Sequence, residues 1–270
     1  MCWEILLNHN PSHKFVAAMT EYAAYLDASG HPNDQPFVVV AGFIATESQW
    51  LAFEKPWKDA LQRHGLGDVF HMTDFEAQGR KDRGIVLDDL IDIINHHTAS
   101  HFSCAVEMSA YRRINDAYIL EEAIGTPYSI AARGIARNIN LWKEKCFRKD
   151  DHLLIFIEEG TKHHGDMEEA FRRDLLPIPQ KVPKDHPSVQ PADLLSWEVH
   201  NYSRHQNRRK SLMKLISNGD PMPEAHGKFG EKNMLFSCKQ INVPLRKDVP
   251  SSVQIVYKTS PKRPRRRTIK

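Results

Sequence analysis

Acidic residues fall at three positions where regular structure could bring them together. They are Asp27 in "YLDASG", the Glu158–Glu159 doublet closing "HLLIFIEEG", and Asp193 in "VQPADLLSWE". A carboxylate at the end of an apolar strand is costly unless it is solvated, hydrogen-bonded or bound to a cation. Three converging carboxylates repel one another, and Mg²⁺ or Mn²⁺, which take oxygen ligands, relieves that repulsion. A pair of such ions about 4 Å apart positions a water and stabilises a phosphodiester leaving oxygen. Each acid also has a plainer role. Asp-Ala-Ser-Gly suits a type I turn with Asp27 at its first position. Asp193 in a helix's first turn is favoured by the helix dipole alone. The doublet can mark where a strand meets water, and alternation puts only one glutamate on each face without fixing which.

A second tier surrounds these acids. His71 and Asp74 lie in "FHMTDF", where His71 is either a proton shuttle or extra ligand for the acid cluster or a histidine packed inside an insertion. Asp74, like Glu159, is a possible further ligand. The segment "SRHQNRRK", 203–210, is expected to extend the Asp193 helix, so Arg204 and Arg208, four apart, share a face and can hold phosphates, although a solvated basic helix end is the commoner use. The "NHH" at 95–97 and "KHH" at 162–164 read as surface, because adjacent helical histidines diverge by about 100° and cannot share one metal. Trp142 and Trp197 read as core. Neither a glycine-rich phosphate loop nor a Gly-x-Ser-x-Gly elbow is present.

The elements that must position these residues follow from periodicity. Residues 22–27 and the β-branched, aromatic "PFVVVAGFIAT" predict two strands joined as a hairpin. "TESQ" at 46–49 is a capping box, opening a helix with Trp50, Phe53, Trp57 and Leu61 on one face, a kink or restart at Pro56 and a stop at Gly65. Residues 68–77 read as a loop or short strand, and 83–97 as a helix. Alternation of Phe102, Cys104, Val106 and Met108 predicts a strand over 102–111. Thr126-Pro127 opens the next helix. The apolar run 152–160 predicts a parallel strand buried on both faces. A helix near 165–176, a Pro-rich connection and a helix carrying Asp193 follow; residues after about 218 read as loop-rich. In open α/β sheets, sites gather outside the carboxyl ends of parallel strands, where Asp27 and the doublet fall.

Composition is that of an ordinary globular chain, with 41% hydrophobic and 26% charged residues in 270. No apolar run is long enough to span a membrane, and the first thirty residues lack a signal-peptide pattern. Four scattered cysteines suggest neither a disulfide framework nor a thiolate zinc site, and a reducing cytoplasm is the simplest compartment. The net charge of +3 hides an asymmetry. Residues 258–270 hold seven Lys or Arg and no acid, so the remainder has 30 basic and 34 acidic residues, a body of −4. That tail is expected to be disordered, serving either nucleic-acid phosphates or solubility. Residues 1–18 lack a clear period and read as a peripheral extension, with the domain over 19–257 and an inserted helical region at about 46–100.

Taken in order, "YLDASG", "FHMTDF", "FIEEG" and "VQPADLLSWE" resemble the prokaryotic family described as domain of unknown function 3800, over about Met19–Tyr202. The resemblance implies a divergent ribonuclease H-like domain: a three-layer α/β fold with a central mixed sheet and a helical insertion after the second strand. It implies Asp27, Glu158 and Asp193 as the acids of the first strand, a later strand and a late helix. By the same resemblance the chain is expected to be a nuclease that uses Mg²⁺ or Mn²⁺ on DNA or RNA, with a role in mobile elements or phage defence. The alternatives are a non-catalytic nucleic-acid- or protein-binding module, which the acidic body favours, and a metal-dependent hydrolase of nucleotides or small phosphate compounds.

Overall fold

β1 (Glu21–Ser29) and β2 (Phe37–Thr46) form the antiparallel centre of the sheet, pairing from Tyr22 with Thr46 to Ser29 with Val39. A computed structural model describes residues 20–148, 151–159, 164–173, 175–217 and 226–248. The expected extension at 1–18 and the basic tail lie outside them. Asp27 sits inside the ladder opposite Ala41, so it is not the first residue of a tight turn. The turn comes later, where the His31 carbonyl accepts from the amides of Asp34 and Gln35. Gly30, at φ +93°, bends the chain out of the strand, in a region that L side chains rarely adopt.

Three helices separate β2 from the next strand. α1 (Glu47–Arg63) opens on the predicted capping box, with the Thr46 hydroxyl accepting from the Gln49 amide at 3.2 Å. It runs through Pro56 without the expected restart. It ends in a Schellman motif, Leu66 N–H donating to the Leu61 carbonyl and Gly65 N–H to that of Gln62, with Gly65 at φ +65°. Residues 72–77 form α2 (Met72–Ala77), correcting the expected loop or strand. α3 (Arg83–His97) matches its predicted span.

β3 (Ser100–Glu107) pairs antiparallel with β2 and stops earlier than expected. Its last residue is opposite Phe37, where β2 begins, so the ladder has no partner beyond it. The chain turns at Met108 into α4 (Met108–Ala117), then α5 (Leu120–Ala123) and α6 (Pro127–Cys146), the last capped by Thr126. β4 (His152–Glu158) lies parallel to β1. Only Leu153, Ile155 and Ile157 are fully covered, so the strand is not buried equally on both faces.

α7 (His164–Arg173), β5 (Gln180–Val182), α8 (Gln190–His205) and α9 (Lys210–Ile216) follow. Residues 226–248 are more regular than predicted. β6 (His226–Phe229) adds parallel to β3, and α10 (Glu231–Gln240) packs beside it. The result is an α/β fold with a six-stranded mixed sheet in the order β5-β4-β1-β2-β3-β6.

Strand alternation gives the sheet two apolar faces. One, with Ala24, Leu26, Val38, Val40 and Phe102, is covered by α4, α6, α7 and α10. The other, with Ala23, Tyr25, Val39 and Phe43, is covered by α1, α2, α3, α8 and α9. On this second face Phe43, Phe53 and Trp57 are wholly buried, and each contributes about 1.5–3 kcal/mol relative to exposure. Those contacts fix the insertion against the sheet.

Candidate carboxylate site

Strand parity delivers the first two acids. Tyr25 stacks on Phe156 at 4.9 Å between ring centroids, on the face covered by α8. Two residues further along each strand, Asp27 and Glu158 point to that same face. The parallel register pairs Leu26 with Ile157, so they occupy the next step at one end of the sheet. Glu158 is half-buried and Glu159 is exposed, and Glu158 is the member of the doublet whose charge acts on both Asp27 and Asp193.

α8 supplies the third acid in its first turn, and its sequence explains how. Leu194, Leu195 and Val199 pack on the sheet, while Asp193, Ser196, Trp197, His200 and Arg204 recur at helical spacing along a neighbouring stripe. Gln190 anchors the start of this helix. Its Oε1 accepts from the Trp57 indole and the Phe70 amide, both at 2.9 Å, which ties α8 to the insertion. Asp193 completes that tie: its Oδ2 accepts from the Met72 amide at 2.6 Å. This bond, made from another element, caps α2 and explains a helix that local sequence does not announce.

Asp27 and Asp193 are each 8% exposed and line one cleft of about 420 Å³. The Asp27 carboxylate accepts from the Ser196 hydroxyl at 2.9 Å. Burial pushes the Asp27 carboxyl far above the carboxylate range, to about 7, and the charges of Asp193 and Glu158 push the same way. Burial likewise raises Asp193, to about 6; the Met72 amide opposes the shift and Glu158 adds to it. His71 borders the cleft, its Nε2 3.5 Å from Asp193 Oδ1 and its Nδ1 3.2 Å from Asp74 Oδ2. Asp74 itself is exposed.

The arginine reading needs correction. α8 ends at His205, and Gln206 takes the left-handed conformation at φ +55°, so Arg204 and Arg208 do not share a helix face. Arg204 lines the cleft, whereas Arg208 lies over the Tyr202 ring at 5.6 Å. Trp142 is core as expected, but Trp197 is only half-buried and borders the cleft, with Arg209 4.8 Å over its ring. In "KHH", His164 is buried beside Glu168 rather than at the surface, and Lys162 and His163 lie outside the described residues. Sequence reasoning missed Ser196, His200 and Gln35. The polar stripe along α8 was the signal for the first two; nothing local marks Gln35.

Whether these residues suit a divalent cation turns on their donors. Carboxylate oxygens suit Mg²⁺ or Mn²⁺. Among the described residues, however, no group of three or more His, Cys, Asp or Glu side chains forms a ready ligand set. What fits is narrower: two carboxylates on one cleft, with Glu158 acting on them through its charge. Mg²⁺ is commonly held by one or two carboxylates, with waters and substrate phosphate completing its shell.

No protein-family model matches the chain, and no curated protein matches it. Among the described residues, no helix is long and apolar enough to cross a membrane.

Proposed function

We propose that the protein is a divalent-metal-dependent phosphodiester hydrolase acting on nucleic acid, built on a ribonuclease H-like sheet. One observation carries this reading: two buried carboxylates from distant segments, Asp27 and Asp193, share a cleft and are held together at an electrostatic cost, with Glu158 beside them. A cation offsets such a cost. The strand order β5-β4-β1-β2-β3, with an acid on the first strand, one on its parallel neighbour and one on a late helix, agrees with the family resemblance.

In this reading Asp27 and Asp193 hold Mg²⁺ or Mn²⁺, and Glu158 adds negative charge or a further oxygen. The bound ion supplies charge stabilisation for the phosphodiester and a more acidic water. Ser196 orients Asp27, and the Met72 amide orients Asp193. His71, next to Asp193, moves a proton at its Nε2. Arg204 steers the phosphate backbone from the cleft rim.

Two rivals rest on specific observations. That the described residues form no three-residue ligand set is the observation on the side of a binding module that does no chemistry. The size of the cleft suits a mononucleotide, which favours a hydrolase of small phosphate compounds. Incubating the protein with Mn²⁺ and single-stranded DNA, RNA or nucleoside phosphates separates them. The nuclease reading expects cleavage of a polymer that Asp27→Asn abolishes. Nucleotide turnover without polymer cleavage favours the small-phosphate hydrolase. No turnover, together with no Mn²⁺-induced rise in melting temperature, leaves the binding module.

A further inference from the structure

Three buried polar atoms on residues lining the same cleft find no hydrogen-bond partner among the described residues: His71 Nδ1, which faces Asp74 at 3.2 Å, and Gln35 Oε1 and His200 Nε2, which face no carboxylate named here. An unpaired buried acceptor is expensive, and the few found in native proteins call for an explanation. His200 is 9% exposed, so nearly all of its ring is enclosed. The Phe37 carbonyl takes a hydrogen bond from the ring, and since Nε2 has no partner that donor is Nδ1–H. Burial, aided by the charge of Arg204, holds the imidazole below its ordinary pKa and therefore neutral. In that tautomer Nε2 carries a lone pair and no proton. Gln35 Oε1 is an acceptor too. Gly30 keeps the ring close: a Cβ there would come within 3.2 Å of His200 Cδ2, next to Nε2.

Acceptors collected in this way suit a ligand that brings hydrogens. We infer that the end of the cleft walled by Gln35 and His200 is a subsite for a hydrogen-bond-donating group of a nucleotide, a sugar hydroxyl or a nucleobase amino group. Phosphate does not meet this need, because both acceptors would repel it, and a lone Nε2 and amide oxygen are poor ligands for Mg²⁺. Arg204, on the same cleft, is placed for the phosphate of that nucleotide, and Asn201 is a further polar neighbour. The inference rests on the proposed nucleic-acid reading for its ligand class, but not on the metal.

The test is binding of mononucleotides in EDTA, by calorimetry, to the full chain. The probes are adenosine 5′-monophosphate, its 2′-deoxy analogue, and purine riboside 5′-monophosphate, which lacks the amino group. The expected result is that one analogue binds about tenfold more weakly than adenosine monophosphate. Loss with the deoxy analogue assigns the hydroxyl; loss with purine riboside assigns the amino group. His200→Phe and Gln35→Met should each shrink that discrimination, and His200→Gln, which restores an acceptor near Nε2, should recover part of it. Because His200→Phe leaves the Phe37 carbonyl unpaired and lowers stability on its own, the reading is the ratio between analogues within each folded variant. A ¹⁵N shift of His200 Nε2 on titration with adenosine monophosphate gives an independent signal. Equal binding of all three probes, discrimination unchanged in the variants, or no nucleotide binding at all overturns the subsite. Cleavage of polymer by Mn²⁺-loaded protein is scored separately, so the subsite can fail while the nuclease stands, or the reverse.

Discussion

Replacing Asp27 by Asn should make the metal-free protein more stable at pH 8. The carboxyl is pushed from an ordinary 3.8 to about 7, so the folded state holds its proton more tightly than the unfolded chain does. Such an acid favours folding most when protonated, and that advantage is lost as pH rises from about 4 to about 7. At about 1.4 kcal/mol per tenfold change in proton affinity, the penalty above pH 7 is on the order of 4 kcal/mol. It is shared with Asp193 and Glu158, whose charges help cause it. Asn has the same shape, accepts the same Ser196 hydrogen bond and carries no charge. A gain of about 2–4 kcal/mol is expected, or roughly 5–12 °C in melting temperature for a domain of this size. The assay is urea unfolding in EDTA from pH 4 to 8, where the variant's stability should fall less between pH 4 and 7 than the wild type's. Adding Mn²⁺ should narrow the gap and, at high excess, reverse it: the wild type gains about 2.7 kcal/mol at a hundred times its dissociation constant and about 4.1 at a thousand times, and the variant little. A variant less stable than wild type at pH 8 in EDTA, or one with an unchanged pH profile, would refute the claim that Asp27 is buried at an electrostatic cost.

The remaining expectations are simpler. Glu198, wholly buried, accepts from the Ser211 hydroxyl at 2.5 Å and lies between Arg83 and Arg209, at 3.6 and 3.7 Å. Both guanidiniums also hold Glu76, at 2.6 and 3.0 Å, so Glu198→Ala should cost about 1–3 kcal/mol, chiefly by leaving the buried Ser211 hydroxyl without its acceptor, measured by urea unfolding. Gly30→Ala should cost about 2 kcal/mol or more, because its Cβ would fall 2.2 Å from the Phe37 carbonyl oxygen in a left-handed backbone; thermal unfolding reads it. Arg204→Ala should weaken single-stranded oligonucleotide binding and reduce its salt dependence by about one phosphate contact, whereas Arg208→Ala, stacked on Tyr202, should change both far less. Fluorescence anisotropy across a salt series distinguishes the two.

The strands and long helices were legible because each carries its own period, and Asp27, Glu158 and Asp193 stood out as acids at the ends of apolar elements. What local sequence hid is what depends on a distant partner. α2 starts where Asp193 holds the Met72 amide, a bond across 121 residues. β3 stops at Glu107 because β2 begins at Phe37, although Met108 continues the alternation. β6 is only four residues long and gains its ladder from β3. Arg208 seemed to follow Arg204 round a helix, but no residue type announces the left-handed Gln206. His200 was concealed by its surroundings, since a lone histidine on a helix more often fills space than awaits a ligand.

Gln190 gives the insertion a wider meaning. One amide joins α8 to Trp57 and Phe70 and reaches the carbonyls of Asp68 and Asp185, each at 3.4 Å. Damage to the inserted helices should therefore register at a cleft that most of them never touch. A lesion in α1, remote from any acid, would loosen the cleft by letting the first turn of α8 drift.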